Sequence, residues 1–135
     1  MLLRIDFTSQ EPIYLQIRSQ IVHAVASGEL QAGDPLPSVR SLAGDLGVNM
    51  HTVNKAYAVL RDEGYVIMRG RSGAFIGDRS SVLTPERAAS DRQRLSQALH
   101  SLALEHKAQG GTFESFISAA KEQAAQVFTT TRDSL

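Results

Sequence analysis

The apolar positions Tyr14, Ile17, Ile21, Ala24 and Val25 recur at three and four residues, the spacing that lines one face of an α-helix. The spacing predicts a helix over residues 11–27. Pro12 falls at its first position, where a missing N–H costs little, and Gly28 is placed to end it. Residues 30–37 combine Gly33, Asp34, Pro35 and Pro37 and read as a turn-rich connector. A short second helix begins after Ser38, whose hydroxyl can cap it, and shows Val39, Leu42, Ala43 and Leu46 on one side. Gly47 ends it, Val48 is placed to tuck between two helices, and Asn49 is a second N-cap. A third helix follows to residue 63, with Val53, Ala56, Tyr57 and Leu60 as its apolar stripe and Gly64 as its stop.

After Gly64 the period changes to two. The runs 65–69 and 74–76 are rich in β-favouring residues, and the segment 70–73 between them (Gly-Arg-Ser-Gly) predicts a hairpin loop. Beyond Asp78 the composition shifts to Ala, Gln, Leu and Ser. Thr84 and Pro85 open one further helix, with Leu95, Leu99, Leu102 and His106 spaced four, three and four apart. Thr112 opens another, with Phe113, Phe116, Ile117, Ala120, Ala124 and Val127 on one face. These two stripes suit packing on each other or on a partner chain. The predicted architecture is mainly α with a small β-hairpin. A winged helix–turn–helix domain occupies residues 1–78, and a two-helix C-terminal dimerisation segment occupies residues 79–135.

Composition narrows the chemistry. The chain has 135 residues and no cysteine, so it has no disulfide framework, thiolate nucleophile or cysteine-based zinc site. No apolar run is long enough to span a bilayer, and the N-terminus does not read as a secretory signal; the expected location is the cytoplasm. No catalytic triad or phosphate-cradling glycine loop is visible, so no enzyme activity and no cofactor are expected. His100 and His106 are six apart, on different faces of a helix, and no metal site is expected.

The net charge is zero, with 14 Lys plus Arg against 14 Asp plus Glu. Taken whole, that weighs against nucleic-acid binding, because such domains are usually basic. Taken by segment, it does not. Residues 36–79 carry six basic and four acidic side chains, whereas residues 1–35 carry two and four. In a helix–turn–helix the second helix of the pair presents its N-terminal residues to base edges in the major groove. Those positions hold Asn49, Met50, His51, Thr52, Asn54 and Lys55, a largely polar set suited to phosphates and bases. Arg69 and Arg71 make a basic loop beside them.

Six blocks in order carry a resemblance to a known family: Pro12–Ile17, Leu36–Ala43, Leu46–Asn49, Thr52–Tyr57, Leu60 with Glu63–Tyr65, and Gly70–Ile76. Residues 8–78 closely resemble the N-terminal domain of GntR-family transcription regulators. The short tail is similar to that of the YtrA-type subfamily. The resemblance implies that Arg40 contacts DNA from the second helix, with Ser38 at its start. It places Asn49, His51 and Thr52 at the start of the recognition helix, Asn54 and Lys55 further along it, and Gly73 at the wing tip. Met50 departs from the family pattern, which has arginine or, in the YtrA type, proline there. Met50 cannot make a bidentate contact to guanine.

The resemblance therefore implies a homodimeric, sequence-specific regulator, in the first place a repressor, on a pseudo-palindromic double-stranded DNA operator. Leu95, Leu99, Leu102, Phe113, Phe116, Ile117, Ala120 and Ala124 would supply the dimer contact. A small-molecule effector, if one acts, belongs at the dimer interface, because the tail has little room for an enclosed pocket. The alternative is a winged-helix protein–protein adaptor that does not read DNA, for which the neutral charge is the best support. Each candidate also has a plainer reading. Arg40 can be a solvated helix arginine, Lys55 can pair with a carboxylate, and Ser38 and Thr52 can be helix caps alone.

Overall fold

The computed structural model describes residues 2–128. It divides into two compact units, Met1–Leu83 and Thr84–Leu135. The first holds α1 (Ile13–Ser27), α2 (Val39–Leu46), α3 (Met50–Asp62) and a two-stranded antiparallel hairpin of β1 (Val66–Met68) and β2 (Ala74–Ile76). The second holds α4 (Pro85–Ala108) and α5 (Phe113–Val127).

The core of the first unit is built from the predicted stripes. α1 contributes Ile17, Ile21 and Ala24, α2 contributes Leu42 and Ala43, and α3 contributes Val53, Ala56, Tyr57 and Leu60. Leu30 and Leu36 from the connector and Val66, Ala74 and Ile76 from the hairpin close it. Val48 is half-buried against this core at the turn between α2 and α3. The helices end where their caps say. Ser38 Oγ accepts from Ser41 N–H at 3.0 Å, and Asn49 Oδ1 accepts from His51 N–H at 2.7 Å.

Two local expectations are corrected. Pro12 is not the first helical residue but the N-cap, with φ −53° and ψ 142°. The reason is Gln16, whose amide donates to the Glu11 carbonyl at 3.0 Å and holds that part of the chain out of the helix. The connector is also more than a set of turns. Gly33 and Leu36 donate to the carbonyls of Ile76 and Ala74, at 2.8 and 2.9 Å, and Ile76 donates back to Asp34 at 2.8 Å. The connector thus lies along β2 as a short third rung, with a bridge between Pro35 and Phe75.

The segment before α1 is fastened by two glutamines. Gln20 Oε1 accepts from Arg4 N–H at 2.9 Å, and Gln20 Nε2 donates to the Arg4 carbonyl at 2.6 Å. Gln16 repeats the pair on Asp6, at 2.9 and 3.0 Å. The side-chain amides thereby stand in for a neighbouring strand, and Leu3 and Ile5 are partly buried against the core. Behind α3, Arg18 of α1 makes a two-pronged ion pair with Glu63, Nε to Oε1 at 2.9 Å and Nη2 to Oε2 at 2.6 Å. Arg79 Nε donates to the Glu63 carbonyl at 2.8 Å and its guanidinium stacks 4.7 Å from the Tyr65 ring. Arg79, which the composition shift assigns to the tail, is therefore fixed to the first unit.

In the second unit Thr84 caps α4 by accepting from Arg87 N–H, and Thr112 and Ser115 form a reciprocal capping box on α5. His106 Nε2 lies 2.7 Å from Ser115 Oγ, and its ring meets Phe116 at 5.8 Å. This contact clamps the Gly110–Gly111 turn, and a Cβ on Gly111 would run into the His106 ring. Neither α4 nor α5 has a buried residue.

Gln16 is buried and its amide serves three backbone groups. Gln16→Leu leaves those groups unpaired and is expected to cost about 1–3 kcal/mol in urea unfolding. Gln20→Leu, at a more exposed rung, is expected to cost less.

Candidate nucleic-acid interface

The geometry of α3 follows from its pattern. Val53, Ala56, Tyr57 and Leu60 are all at most 1% exposed, so the opposite edge of the helix must face outward. That edge carries Met50, His51, Asn54 and Lys55, all exposed, with Thr52 half-buried. α2 leads into it through Gly47, whose φ of 69° lies in the left-handed region that glycine adopts without a Cβ penalty. The chain reverses there within two residues and Asn49 immediately caps α3.

Tyr57 ties the motif to what precedes it. Its ring is buried and its hydroxyl donates to the Pro37 carbonyl at 2.8 Å, directly before the Ser38 cap of α2. Burial pushes the Tyr57 hydroxyl up from 10.0 to about 12. α2 and α3 are thus linked through the Gly47 turn and also through this bond.

The structure distinguishes among the sequence-predicted residues. Arg40 and Arg71 are exposed and make no hydrogen bond or ion pair within the described residues. Arg69 is held at the base of the wing, its guanidinium 5.4 Å from the Phe75 ring and its N–H donating to the Gly73 carbonyl at 2.8 Å. Gly73 has φ 95° and ψ −157°, a conformation reserved for glycine, and lets the loop return into β2. Lys55 has no carboxylate partner among the described residues; its ammonium sits 4.2 Å from the Tyr14 ring, which draws it toward α1. Ser38 and Asn49 are both caps, yet the Asn49 amide nitrogen and the Ser38 hydroxyl proton stay available for other contacts. Met50 is 45% exposed at the first turn of α3.

Some functional supports could not be read from the chain. Tyr14 under Lys55 and Phe75 under Arg69 are partnered by residues distant in sequence or across the hairpin. An aromatic residue beside a hairpin arginine is a weak signal for the second pair; nothing local signals the first. The tail residues are placed differently. Leu95, Leu99 and Leu102 on α4 and Phe113 on α5 are exposed, as are Ala120 and Ala124, while Phe116 and Ile117 are half-buried. The stripes of α4 and α5 do not bury one another along their lengths.

Three helices, a left-handed glycine turn and a basic hairpin define a winged helix–turn–helix. Residues 13–76 match the family model described as bacterial regulatory proteins, gntR family. The chain is 40% identical over 86 residues to the HTH-type transcriptional repressor YtrA of Bacillus subtilis, covering 63% of this chain and 65% of that protein. It spans somewhat under two thirds of the length of the first curated relatives it matches. Among solved structures, a transcriptional antiterminator from Listeria monocytogenes EGD-e is 31% identical, with a TM-score of 0.78 over 94% of this chain and 92% of that one. YtrA from Sulfolobus acidocaldarius, a GntR-family transcription factor, is 39% identical, with a TM-score of 0.56 over 73% of this chain and 99% of that one. The chain belongs to the GntR family of bacterial regulatory proteins.

The raised Tyr57 ionisation predicts an alkaline limb. The unfolded chain releases this proton near pH 10 and the folded chain near pH 12, so the contribution is complete below pH 10 and is lost as pH rises to 12. Denaturant unfolding at pH 8 and 11 is expected to show a smaller drop in Tyr57→Phe than in the parent. At pH 8 that variant is expected to be about 1 kcal/mol less stable, because its ring has no hydroxyl to bond Pro37.

Proposed function

We propose that this protein is a DNA-binding transcription regulator of the cytoplasm that occupies a pseudo-palindromic operator as a homodimer and represses the genes beside it. The observation that carries the reading is the outward edge of α3, whose polar residues adjoin one another while its other face is fully buried. α3 would enter the major groove, with Asn49, His51, Thr52 and Asn54 nearest the bases. Arg40 and Arg71, which have no partner within the described residues, would neutralise phosphates, and Arg71 would do so from the wing. Ser38 and Lys55 would add backbone contacts. Repression is supported by the likeness to the Bacillus subtilis repressor. Nothing in the family membership points to catalysis.

The homodimer is supported by the second unit. Leu95, Leu99 and Leu102 form a stripe on α4 that nothing among the described residues covers, and α5 adds Phe113, Phe116, Ile117, Ala120 and Ala124. Two long helices with no buried residue need a partner surface to offset their ordering entropy. A second copy supplies it and also gives the paired recognition helices that half-sites require. An effector would act by binding two dimer geometries unequally.

A modest number of outward-facing cations makes for modest non-specific binding with a correspondingly shallow salt dependence. Duplexes enriched from a random library by the whole chain serve as the probe. Arg40→Ala with Arg71→Ala is expected to weaken binding at least about tenfold near 0.15 M salt and to flatten the salt slope by about 0.9 for each phosphate that is no longer neutralised. Unchanged affinity in that variant would favour the protein–protein adaptor instead. For the dimer, Leu99→Glu with Leu102→Glu is expected to give monomers in sedimentation equilibrium, with the first unit still folded; a parent chain that sediments as a monomer at micromolar concentration rules the dimer out.

A further inference from the structure

Met50 is the apolar residue among Met50, His51, Asn54 and Lys55 on the outward edge of α3, its thioether sulfur being only a weak acceptor. It is the first residue of the helix and 45% exposed. It stands between the Asn49 cap and His51, one turn from Asn54. Core packing does not explain it, because the buried stripe of α3 runs through Val53, Ala56, Tyr57 and Leu60. Capping does not explain it either, since Asn49 performs that role through its side chain. A flexible, polarisable thioether left in water at the tip of a reading helix loses by exposure and gains if an apolar surface meets it. In the major groove only one base offers such a surface: thymine, through its 5-methyl group.

We infer that Met50 is a specificity-determining residue that packs its side chain against the 5-methyl group of a thymine in each half-site. The inference rests on the reading of α3 as the recognition helix. It has a geometric corollary. Residues four apart on a helix are neighbours, so Asn54 stands beside Met50, and its amide has the donor–acceptor pair that fits adenine N6 and N7. The half-site therefore carries a thymine next to a position where Asn54 can choose adenine, and the preference for thymine over cytosine at the Met50 position comes from the methyl group.

The test removes that methyl group alone. The whole chain is used to select duplexes from a random library, and each thymine of the selected half-site is replaced in turn by deoxyuridine. One thymine per half-site is expected to show a drop of about fourfold in affinity, the value of one buried methyl. Met50→Ala is expected to bind the thymine and deoxyuridine duplexes equally. Met50→Leu, which keeps an apolar side chain, is expected to retain a preference for thymine. Replacing cytosine by 5-methylcytosine at the same position is expected to raise the affinity of the parent but not of Met50→Ala. Equal sensitivity to every deoxyuridine substitution in the parent and in Met50→Ala overturns the inference while leaving sequence-specific binding intact. A selection that enriches no sequence overturns the recognition-helix reading itself, and this inference with it. Circular dichroism of both variants at 25 °C separates unfolding from weakened base recognition.

Discussion

The burial of one face of α3 governs the first unit. Val53, Ala56, Tyr57 and Leu60 make a wall against α1, α2 and the hairpin, and each is closed to solvent. A helix buried this completely along one side cannot rotate without exposing that wall, so its other side is fixed as well. The stability of the core and the aim of the outward side chains are then one property. Leu60→Ala or Tyr57→Ala would harm both, whereas Asn54→Ala, on the exposed edge, would leave the core intact.

The polar links act on the same arrangement from its edges. The Tyr57 hydroxyl fixes the entry to α2, the Asn49 side chain fixes the start of α3, and the Arg18–Glu63 pair fixes its end. Glu63 raises the Arg18 pKa further by its hydrogen bond, so the guanidinium stays charged over the whole accessible range. It also alters the charge picture. Arg18 and Glu63 neutralise each other on the far side of α3, and Arg79 is turned inward on Tyr65 and the Glu63 carbonyl. Arg40 of α2 and Arg71 of the hairpin loop, by contrast, face outward with no partner among the described residues.

The helices, their caps and the hairpin were legible because each depends on neighbours within four residues. Ser38, Asn49, Thr84 and Thr112 cap as their residue types dictate, and Gly28 and Gly47 end helices in the left-handed region. What the sequence concealed depends on distance along the chain. Arg18 and Glu63 are 45 residues apart, and Tyr57 and Pro37 are 20 apart. The third rung beside β2 was hidden because its residues, Gly33, Asp34 and Pro35, are turn formers by composition and pair through backbone atoms alone. Pro12 misled for a related reason: its conformation suits both the first helical position and the cap, and a side chain four residues later decides between them. In the candidate site the exposed edge of α3 was legible from periodicity, but the aromatic seats of Lys55 and Arg69 were not.

The two glutamines of α1 join structures of unequal pitch. Four residues of helix advance about 6.0 Å, while two residues of extended chain advance about 6.7 Å. Gln16 and Gln20 meet Asp6 and Arg4 because a flexible three-carbon arm absorbs a difference of that size over one repeat. Over three repeats the offset would be about 2 Å, beyond what a hydrogen bond tolerates. Such a seam works as a vernier: it comes into register over a short stretch and then drifts out. It also demands glutamine in particular, since asparagine has a shorter arm and glutamate lacks the donor. A helix can therefore grip an extended strand with its side chains for two rungs, and this chain uses both.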